Sequence, residues 1–152
     1  MRKRVIDQER AVEPGSLDIE RIARVEITSE DPAHPIERAL RDDGGGWRAA
    51  TPGEQVIRLV FDEPTRLQAI DLGFEEAGTP RTQEFVLRWS PDSGRSYREI
   101  VRQQYTFSPP GTVSETERYA VDLAGVTVLE LRVIPDIVGS PTLASLRRLR
   151  VT

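Results

Sequence analysis

The chain has 152 residues, no cysteine and a single histidine, and its formal net charge is −4. This length fits one domain with a hydrophobic core, and the absence of cysteine excludes disulfides, thiolate metal sites and cysteine nucleophiles. The negative charge disfavours phosphate backbones and anionic membranes as general partners. Lys3 is the only lysine, so nearly every basic side chain is an arginine.

The first residues of the chain differ in composition from the rest. Residues 1 to about 20 are charged and are interrupted by Pro14-Gly15-Ser16, which is typical of an arm that leads into a domain. We therefore predict an arm over 1–20 and one domain over 21–152. The basic start has no apolar segment after it and no apolar run approaches membrane-spanning length, so we expect a cytoplasmic protein without a membrane partner.

The remaining elements follow from periodicity and turn residues. Alternation from Ile22 to Ile27 predicts a strand with one buried face. Pro35 and the residues 37–40 after it predict a short helix that ends at the glycines 44–46. After Trp47, short alternating segments are separated by turn residues, with a turn expected at 62–65. They predict strands over 55–61, 67–74, 84–90, 96–107, 118–123, 126–134 and 143–151.

These segments amount to about eight antiparallel strands, and no helix of ordinary length is expected after residue 41. The short, regular spacing of the turns favours two packed sheets over alternating helices and strands. We therefore predict an all-β fold, a jelly-roll β-sandwich.

Four segments together resemble the discoidin, or coagulation-factor type C, superfamily of galactose-binding-like domains. They are the helical turn, acidic loop and tryptophan over 35–47, the strands over 57–73, the hairpin Phe85–Tyr97 that contains Ser90-Pro91-Asp92-Ser93-Gly94, and the closing strands over 129–151. The resemblance covers roughly residues 22–151. It implies a galactose-binding-like jelly roll, a fold that usually binds a ligand and rarely catalyses.

A shorter segment carries a second resemblance. Trp47 to Glu54 is similar to the same region of the amino-terminal domain of the X-ray cross-complementing single-strand-break repair scaffold. This similarity implies an alternative function, that of an intracellular module that binds protein or DNA.

The superfamily resemblance also raises the question of calcium. Many members hold a structural calcium near the acidic loop, usually completed by a glutamate in the last strand. Asp42 and Asp43 stand at this loop, but Arg148 occupies the place of the glutamate, and a guanidinium there would repel a cation. We therefore expect no cofactor, with calcium disfavoured, and an ion pair between Arg148 and Asp42 or Asp43. Solvated loop aspartates and exposed arginines are the alternative interpretation.

Loops at one end of the predicted sandwich hold the candidate binding residues. A sugar is recognised by polar groups that bind its hydroxyls and by aromatic rings that cover its apolar face. The candidates are His34, Arg38, Arg48, Tyr105 and Phe107. For the two aromatic residues, alternation also fits ordinary strand packing, which is the favoured interpretation, and the histidine also fits a plain surface loop. We predict a non-catalytic module that binds carbohydrate, with a glycan or a protein as its partner.

Catalysis and nucleic-acid binding have less support. His34 is the sole imidazole and nothing selects a nucleophile beside it. The carboxylate pairs Asp42/Asp43 and Glu75/Glu76 are adjacent in the chain, whereas hydrolytic pairs face each other across a substrate. Nucleic acid is disfavoured as a partner because glutamates lie near the first of two arginine sets that would bind it. These sets are Arg95, Arg98 and Arg102, and Arg147, Arg148 and Arg150.

Overall fold

The computed structural model describes residues 15–41 and 44–152, which form eight strands and two one-turn helices. The strand pairs are all antiparallel, so the predicted all-β fold with about eight strands is confirmed. The helices are α1, Ile19–Ile22, and α2, Glu37–Leu40. The strands are β1, Ala23–Ile27; β2, Trp47–Arg48; β3, Gln55–Glu75; β4, Arg81–Ser90; β5, Arg98–Phe107; β6, Ser114–Ile134; β7, Ser145–Leu146; and β8, Arg148–Val151.

Two long strands, β3 and β6, run through both layers of the sandwich. Residues 55–60 of β3 pair with residues 128–133 of β6 in a five-stranded layer of order β1-β3-β6-β4-β5. Beyond a series of register shifts, residues 69–75 of β3 pair with β6 again and with β8. Register shifts bend a strand, and the second layer folds back over the first. The Phe74 ring accordingly stacks on the Phe85 ring of β4, with 5.2 Å between centroids.

The structure corrects the predicted turn at 62–65. The chain stays extended through Pro64, and the segments predicted as separate strands over 55–61 and 67–74 are one strand. Pro64 lies inside the register shift between Val60 and Thr65, where β3 has no ladder partner in β6. The lack of an N–H on proline therefore breaks no ladder hydrogen bond. The predicted strands over 118–123 and 126–134 join in the same way into β6.

The amino-terminal elements agree with the predicted periodicity. In β1 the side chains of Val25 and its alternate neighbours are half-buried, whereas Arg24 and Glu26 are exposed. The short helix predicted after Pro35 is confirmed as α2. Helix α1 was not predicted, because four residues are too few to show helical periodicity.

Part of the predicted arm packs against the sandwich. Ile19 is buried in the core, and the backbone N–H of Leu17 donates to the carbonyl of Val151 at 2.8 Å. Residues 1–14 lie outside the described residues, and the division of the chain at residue 20 stays a prediction. None of the helices in the described ranges is long and apolar enough to cross a bilayer.

The outer face of the five-stranded layer carries one buried carboxylate. Glu130, in β6, has no exposed area and lies at the centre of an arginine cluster. Its oxygens lie 2.7–2.8 Å from guanidinium nitrogens of Arg58, Arg88 and Arg132. Burial alone would raise the pKa of Glu130, but the hydrogen bonds from these three arginines lower it below its ordinary value. Glu130 is therefore held as an anion that binds one arginine from each of β3, β4 and β6.

A second buried carboxyl group lies where the edges of the two layers meet, between β5 and β6. Glu115 is 3% exposed, and Gln103 Nε2 donates to its Oε2 at 3.2 Å and to Glu117 Oε1 at 2.6 Å. Glu115 Oε1 is buried without a hydrogen bond to any described residue. Burial and the charge of Glu117 raise the pKa of Glu115 to about 7.

We expect Glu115→Gln to raise the free energy of unfolding at pH 8 by about 2–3 kcal/mol, since one pKa unit corresponds to about 1.4 kcal/mol. The pKa of Glu115 in the folded protein is about 7 and lies above the ordinary value of 4.5. Its contribution to stability is therefore complete below pH 4.5 and is lost as pH rises through 7. Urea unfolding of the wild type and of Glu115→Gln at pH values from 4.5 to 7, and at pH 8, measures the difference between their free energies of unfolding. If the stability of the two proteins changed equally with pH, this account of Glu115 would be wrong.

Candidate ligand-binding cleft

A two-stranded ribbon lies beside the sandwich, at the end where β1 and β6 finish and β4 begins. In this ribbon Trp47 of β2 is opposite Leu146 of β7, and Arg48 is opposite Ser145. Trp47 is 1% exposed, and its Nε1 donates to the carbonyl of Ser29 at 3.0 Å. Trp47 therefore anchors the ribbon in the core, while alternation leaves Arg48 exposed to solvent.

A cleft of about 520 Å³ lies beside Arg48, between the loops over 75–80 and 140–145. A recess of about 80 Å³ adjoins it and shares the lining residues Arg48, Glu75 and Ser145. We call the two together the end cleft. The larger part is also lined by Glu76, Ala77, Thr79, Ser140, Pro141, Thr142 and Leu143, and the recess by His34, Gly45, Trp47, Leu146 and Arg147.

The wall over residues 75–80 is fixed by the Glu76 carboxylate. It accepts hydrogen bonds from the backbone N–H groups of Gly78 and Thr79, at 3.1 and 3.2 Å, and from Arg81 Nε at 2.7 Å. Burial alone would raise the pKa of Glu76, but the hydrogen bonds from Arg81 and the two backbone groups lower it. Because all three donors come from one loop and the strand after it, the loop is held in one shape.

The opposite wall is built in the same way on Asp136. Its carboxylate accepts hydrogen bonds from the Ser140 hydroxyl at 2.6 Å and from the backbone N–H of Val138 at 3.2 Å. The hydrogen bond from Ser140 lowers the pKa of Asp136 below its ordinary value. The loop therefore holds Ile137 and Val138 in fixed positions, although they are 46% and 82% exposed.

His34 lines the recess and lies beside Asp31. Its Nδ1 is buried and lies 3.5 Å from Asp31 Oδ2, while the side chain as a whole is 37% exposed. The exposed atoms therefore lie on the other side of the ring. The backbone N–H of Ala33 lowers the pKa of Asp31, and His34 and Arg48 add to this effect. The backbone N–H of Arg48 donates to the carbonyl of His34 at 3.1 Å, which ties the two predicted site residues together.

Arg48 is the charged side chain of the end cleft that remains available to a ligand. Arg147 Nε lies 3.4 Å from Glu75 Oε1, and Glu76 is engaged by Arg81. Within residues 15–41 and 44–152, the guanidinium of Arg48 makes no hydrogen bond or ion pair. Its donors are therefore directed into solvent at the junction of the larger cleft and the recess.

The structure places the other predicted site residues differently. Arg38 is exposed and borders the recess through Gly45, where its Nη1 lies 3.3 Å from the position that a Cβ would take. Phe107 has no exposed area, and the Arg81 guanidinium covers its ring at 4.8 Å from the centroid. The prediction that Phe107 contacts a ligand is therefore wrong, because this phase of β5 faces the core.

Tyr105 belongs to the same packing and does not line the end cleft. Its ring meets that of Phe107 edge-on, with 5.0 Å between centroids. Its hydroxyl donates to the carbonyl of Ser114 at 2.9 Å. Tyr105 therefore joins β5 to the start of β6, which is the role of a structural residue.

The structure describes only one side of the ion pair that was predicted to replace calcium. Asp42 and Asp43 lie outside the described residues, and so does their proposed ion pair with Arg148. Arg148 is half-buried in β8, opposite Gly73. Its neighbour Arg147 approaches the glycine loop, with Nη2 3.4 Å from the position of a Cβ on Gly44. Among the residues described here, no group of three or more histidine, aspartate or glutamate side chains could hold a metal ion.

Sequence reasoning found His34 and Arg48 but not the two walls of the cleft. The missed residues are Glu75, Thr79, Ser140, Thr142, Ser145 and Arg147. The two loops are about 65 residues apart in the chain and carry no motif. Long-range strand pairing brings them together, with Gly73 of β3 opposite Arg148 of β8 and Glu84 of β4 opposite Ile134 of β6.

No family model matches this sequence, and no curated protein matches it significantly. The fold, in contrast, is similar to many solved structures. The family 32 carbohydrate-binding module of C. perfringens NanJ, solved with galactose, superposes with a TM-score of 0.65 over 90% of this chain and 96% of that one, at 11% identity. This chain has the galactose-binding-like fold. That fold was predicted from the resemblance to the discoidin superfamily, and it is confirmed.

Two further structures that match this fold were solved in complex with a ligand or a protein. The family 32 module of AlyQ, in complex with 4,5-unsaturated mannuronic acid, matches with a TM-score of 0.60 and 17% identity over 86% of this chain and 95% of that one. XRCC1 bound to the DNA polymerase β catalytic domain matches with a TM-score of 0.61 and 15% identity over 86% of this chain and 96% of that one. The second match agrees with the predicted resemblance to a repair scaffold.

Proposed function

We propose that this galactose-binding-like domain is a non-catalytic module that binds carbohydrate in the end cleft. The observation that carries the proposal is the guanidinium of Arg48, which has no hydrogen bond or ion pair with a described residue and lies between two walls held by internal hydrogen bonds. Thr79, Ser140 and Thr142, which carry hydroxyl groups, line the same cleft. Sugar hydroxyls need donors and acceptors in a preformed site, and the galactose and mannuronic acid complexes of the fold neighbours support this ligand class.

The charges in the cleft support binding rather than hydrolysis. Glu75 and Glu76 are adjacent in the chain, and each is engaged by an arginine, Arg147 and Arg81. Glycoside hydrolysis uses two carboxyl groups that flank the scissile bond from opposite sides. The two glutamates of the end cleft lie on one wall, so they do not form such a pair.

We expect Arg48→Ala to weaken saccharide binding at least about tenfold, since a hydrogen bond to a charged group contributes about 1.5–3 kcal/mol. A glycan array identifies the ligand, and isothermal titration calorimetry of the full chain measures its affinity. Arg95→Ala is the matched control, because Arg95 is an exposed arginine in the turn before β5. Failure of the wild type to bind any saccharide would contradict the proposed function. Equal affinity of the wild type and Arg48→Ala would place the site elsewhere.

A second candidate function is the binding of a protein partner next to the cleft. Its support is the pair Ile137 and Val138, which are 46% and 82% exposed on a loop held by Asp136. Exposed aliphatic groups on a rigid loop suit a protein surface better than a sugar. Two arginines of the first set considered for nucleic acid are engaged instead: Arg102 pairs with Glu84 and Glu99, and Arg98 lies over the Trp89 ring. Cytoplasmic location stays a prediction.

A further inference from the structure

The edge of the five-stranded layer at β1 offers unused backbone groups. The Thr28 N–H donates to the carbonyl of Val56 at 3.1 Å, just beyond the end of β1. In an antiparallel pair, residues that bond to the partner strand alternate with residues whose N–H and C=O point away. Counting back from Thr28, Arg24 and Glu26 bond to β3, while Val25 and Ile27 point away from it. β1 is the last strand in the order of its layer, so these groups face no neighbouring strand in the described residues.

An apolar groove runs along this same edge. Its volume is about 470 Å³, and it separates β1 from α2. The floor consists of aliphatic side chains that are buried or half-buried, namely Ala23, Val25, Ile27, Ile36 and Leu40. The side chains of Val25 and Ile27 therefore enter the groove, while their unused backbone N–H and C=O groups lie along the edge of the sheet beside it. An extended segment placed beside β1 would use both.

The rim of the groove is acidic. Glu20 lies before the start of β1, Glu30 lies beyond its end, and Glu37 lies on α2 between them. Glu20 accepts from Arg41 Nε, and Glu30 accepts from the backbone N–H of Ile36. The carboxylate of Glu37 has no hydrogen bond or ion pair with another described residue. A ligand that brings positive charge to this rim is therefore favoured over one that brings negative charge.

We propose that the edge of β1 and this groove, together the β1 groove, bind an extended segment of a protein partner that adds to the sheet as a further strand. The segment has an aliphatic residue opposite Val25, and arginine or lysine two positions before and after it. The aliphatic residue covers the floor. The stems of the basic residues lie over Ala23 and Ile27, and their charges reach the glutamates of the rim. A second copy of the chain would bring the same three glutamates to the interface, so it fits less well.

The direct test uses the full chain and a synthetic peptide that contains Arg-Thr-Val-Thr-Arg, with both ends blocked. Titration with a fluorescent form of the peptide gives its affinity. We expect saturable binding and slower hydrogen exchange of the Val25 and Ile27 amides, because these N–H groups become donors to the added strand. A peptide with glutamate in place of arginine should not bind.

Two substitutions locate the site on the protein. Glu37→Gln should weaken peptide binding about threefold, within the range of an exposed ion pair, while Glu63→Gln in the bend of β3 serves as the matched control. Val25→Pro removes one outward N–H but no bond to β3, so it should weaken binding at least about tenfold. Hydrogen exchange of the wild-type chain provides the same information if the proline variant does not fold.

Three results would overturn the proposal. One is peptide binding without added protection at Val25 and Ile27, and another is equal affinity for the arginine and glutamate peptides. The third is a dimer of the full chain that Val25→Pro dissociates, which would assign the β1 groove to a second copy. Each result is independent of whether the end cleft binds saccharide.

Discussion

Glu130→Ala is expected to lower the free energy of unfolding by about 3 kcal/mol, because removing one partner of a buried ionic cluster leaves the other charges uncompensated. Glu130 has no exposed area, and it is the common partner of Arg58, Arg88 and Arg132. Without it, three guanidinium groups on adjacent strands repel one another. Their side chains are 28–38% exposed, so solvent screens part of the repulsion and keeps the effect at the lower end of the range for buried pairs.

Urea unfolding of the wild type and Glu130→Ala at neutral pH measures this loss. Glu26→Ala is the matched control, because Glu26 stands on the same face in β1 and pairs with Arg24, whose side chain is 69% exposed. We expect the control to change stability by less than about 1 kcal/mol. A loss of the same small size in Glu130→Ala would show that the three arginines do not depend on the buried carboxylate.

The fold was predictable from the sequence wherever one strand face is buried. Residues 23–27 alternate strictly, and the structure turns the predicted face inward. The bends of β3 and β6 were not predictable, because the segment around Pro64 carries turn residues and yet remains extended. Whether such a segment reverses or only bends depends on how its neighbours pair across the sheet, which no local pattern records.

The candidate site was predictable only where its residues are close in the chain. His34 and Arg48 flank one loop, and a backbone hydrogen bond joins them in the structure. The prediction for Phe107 was wrong because alternation groups residues on one face of a strand but does not tell which face is buried. In β5 that choice follows from the register with β4, where Arg81 is opposite Phe107, so the aromatic phase faces the core. The same phase carries a glutamine, Gln103, which is half-buried, so residue type alone would not have decided it.

Gly46→Ala is expected to destabilise the protein by about 3 kcal/mol or more, through backbone strain and a steric clash together. Gly46 has φ +70°, a conformation that L side chains rarely adopt. A Cβ at this position would lie 2.6 Å from the carbonyl oxygen of Leu146 and 2.8 Å from Arg147 Cα. Both atoms belong to backbone, so no rotation of a side chain relieves the clash. The β2–β7 ribbon must therefore shift, and Arg48 shifts with it.

Gly53→Ala separates the two causes of this effect. Gly53 has φ +92°, but a Cβ there would meet no atom within 4 Å. It should therefore cost only about 1–2 kcal/mol, the strain of a left-handed conformation without a clash. Thermal and urea unfolding of both variants measure the difference, and saccharide titration should show weaker binding in Gly46→Ala alone. Equal losses of stability in the two variants would mean that the ribbon accommodates a methyl group at Gly46. The position of Arg48 would then not depend on the close approach between Gly46 and β7.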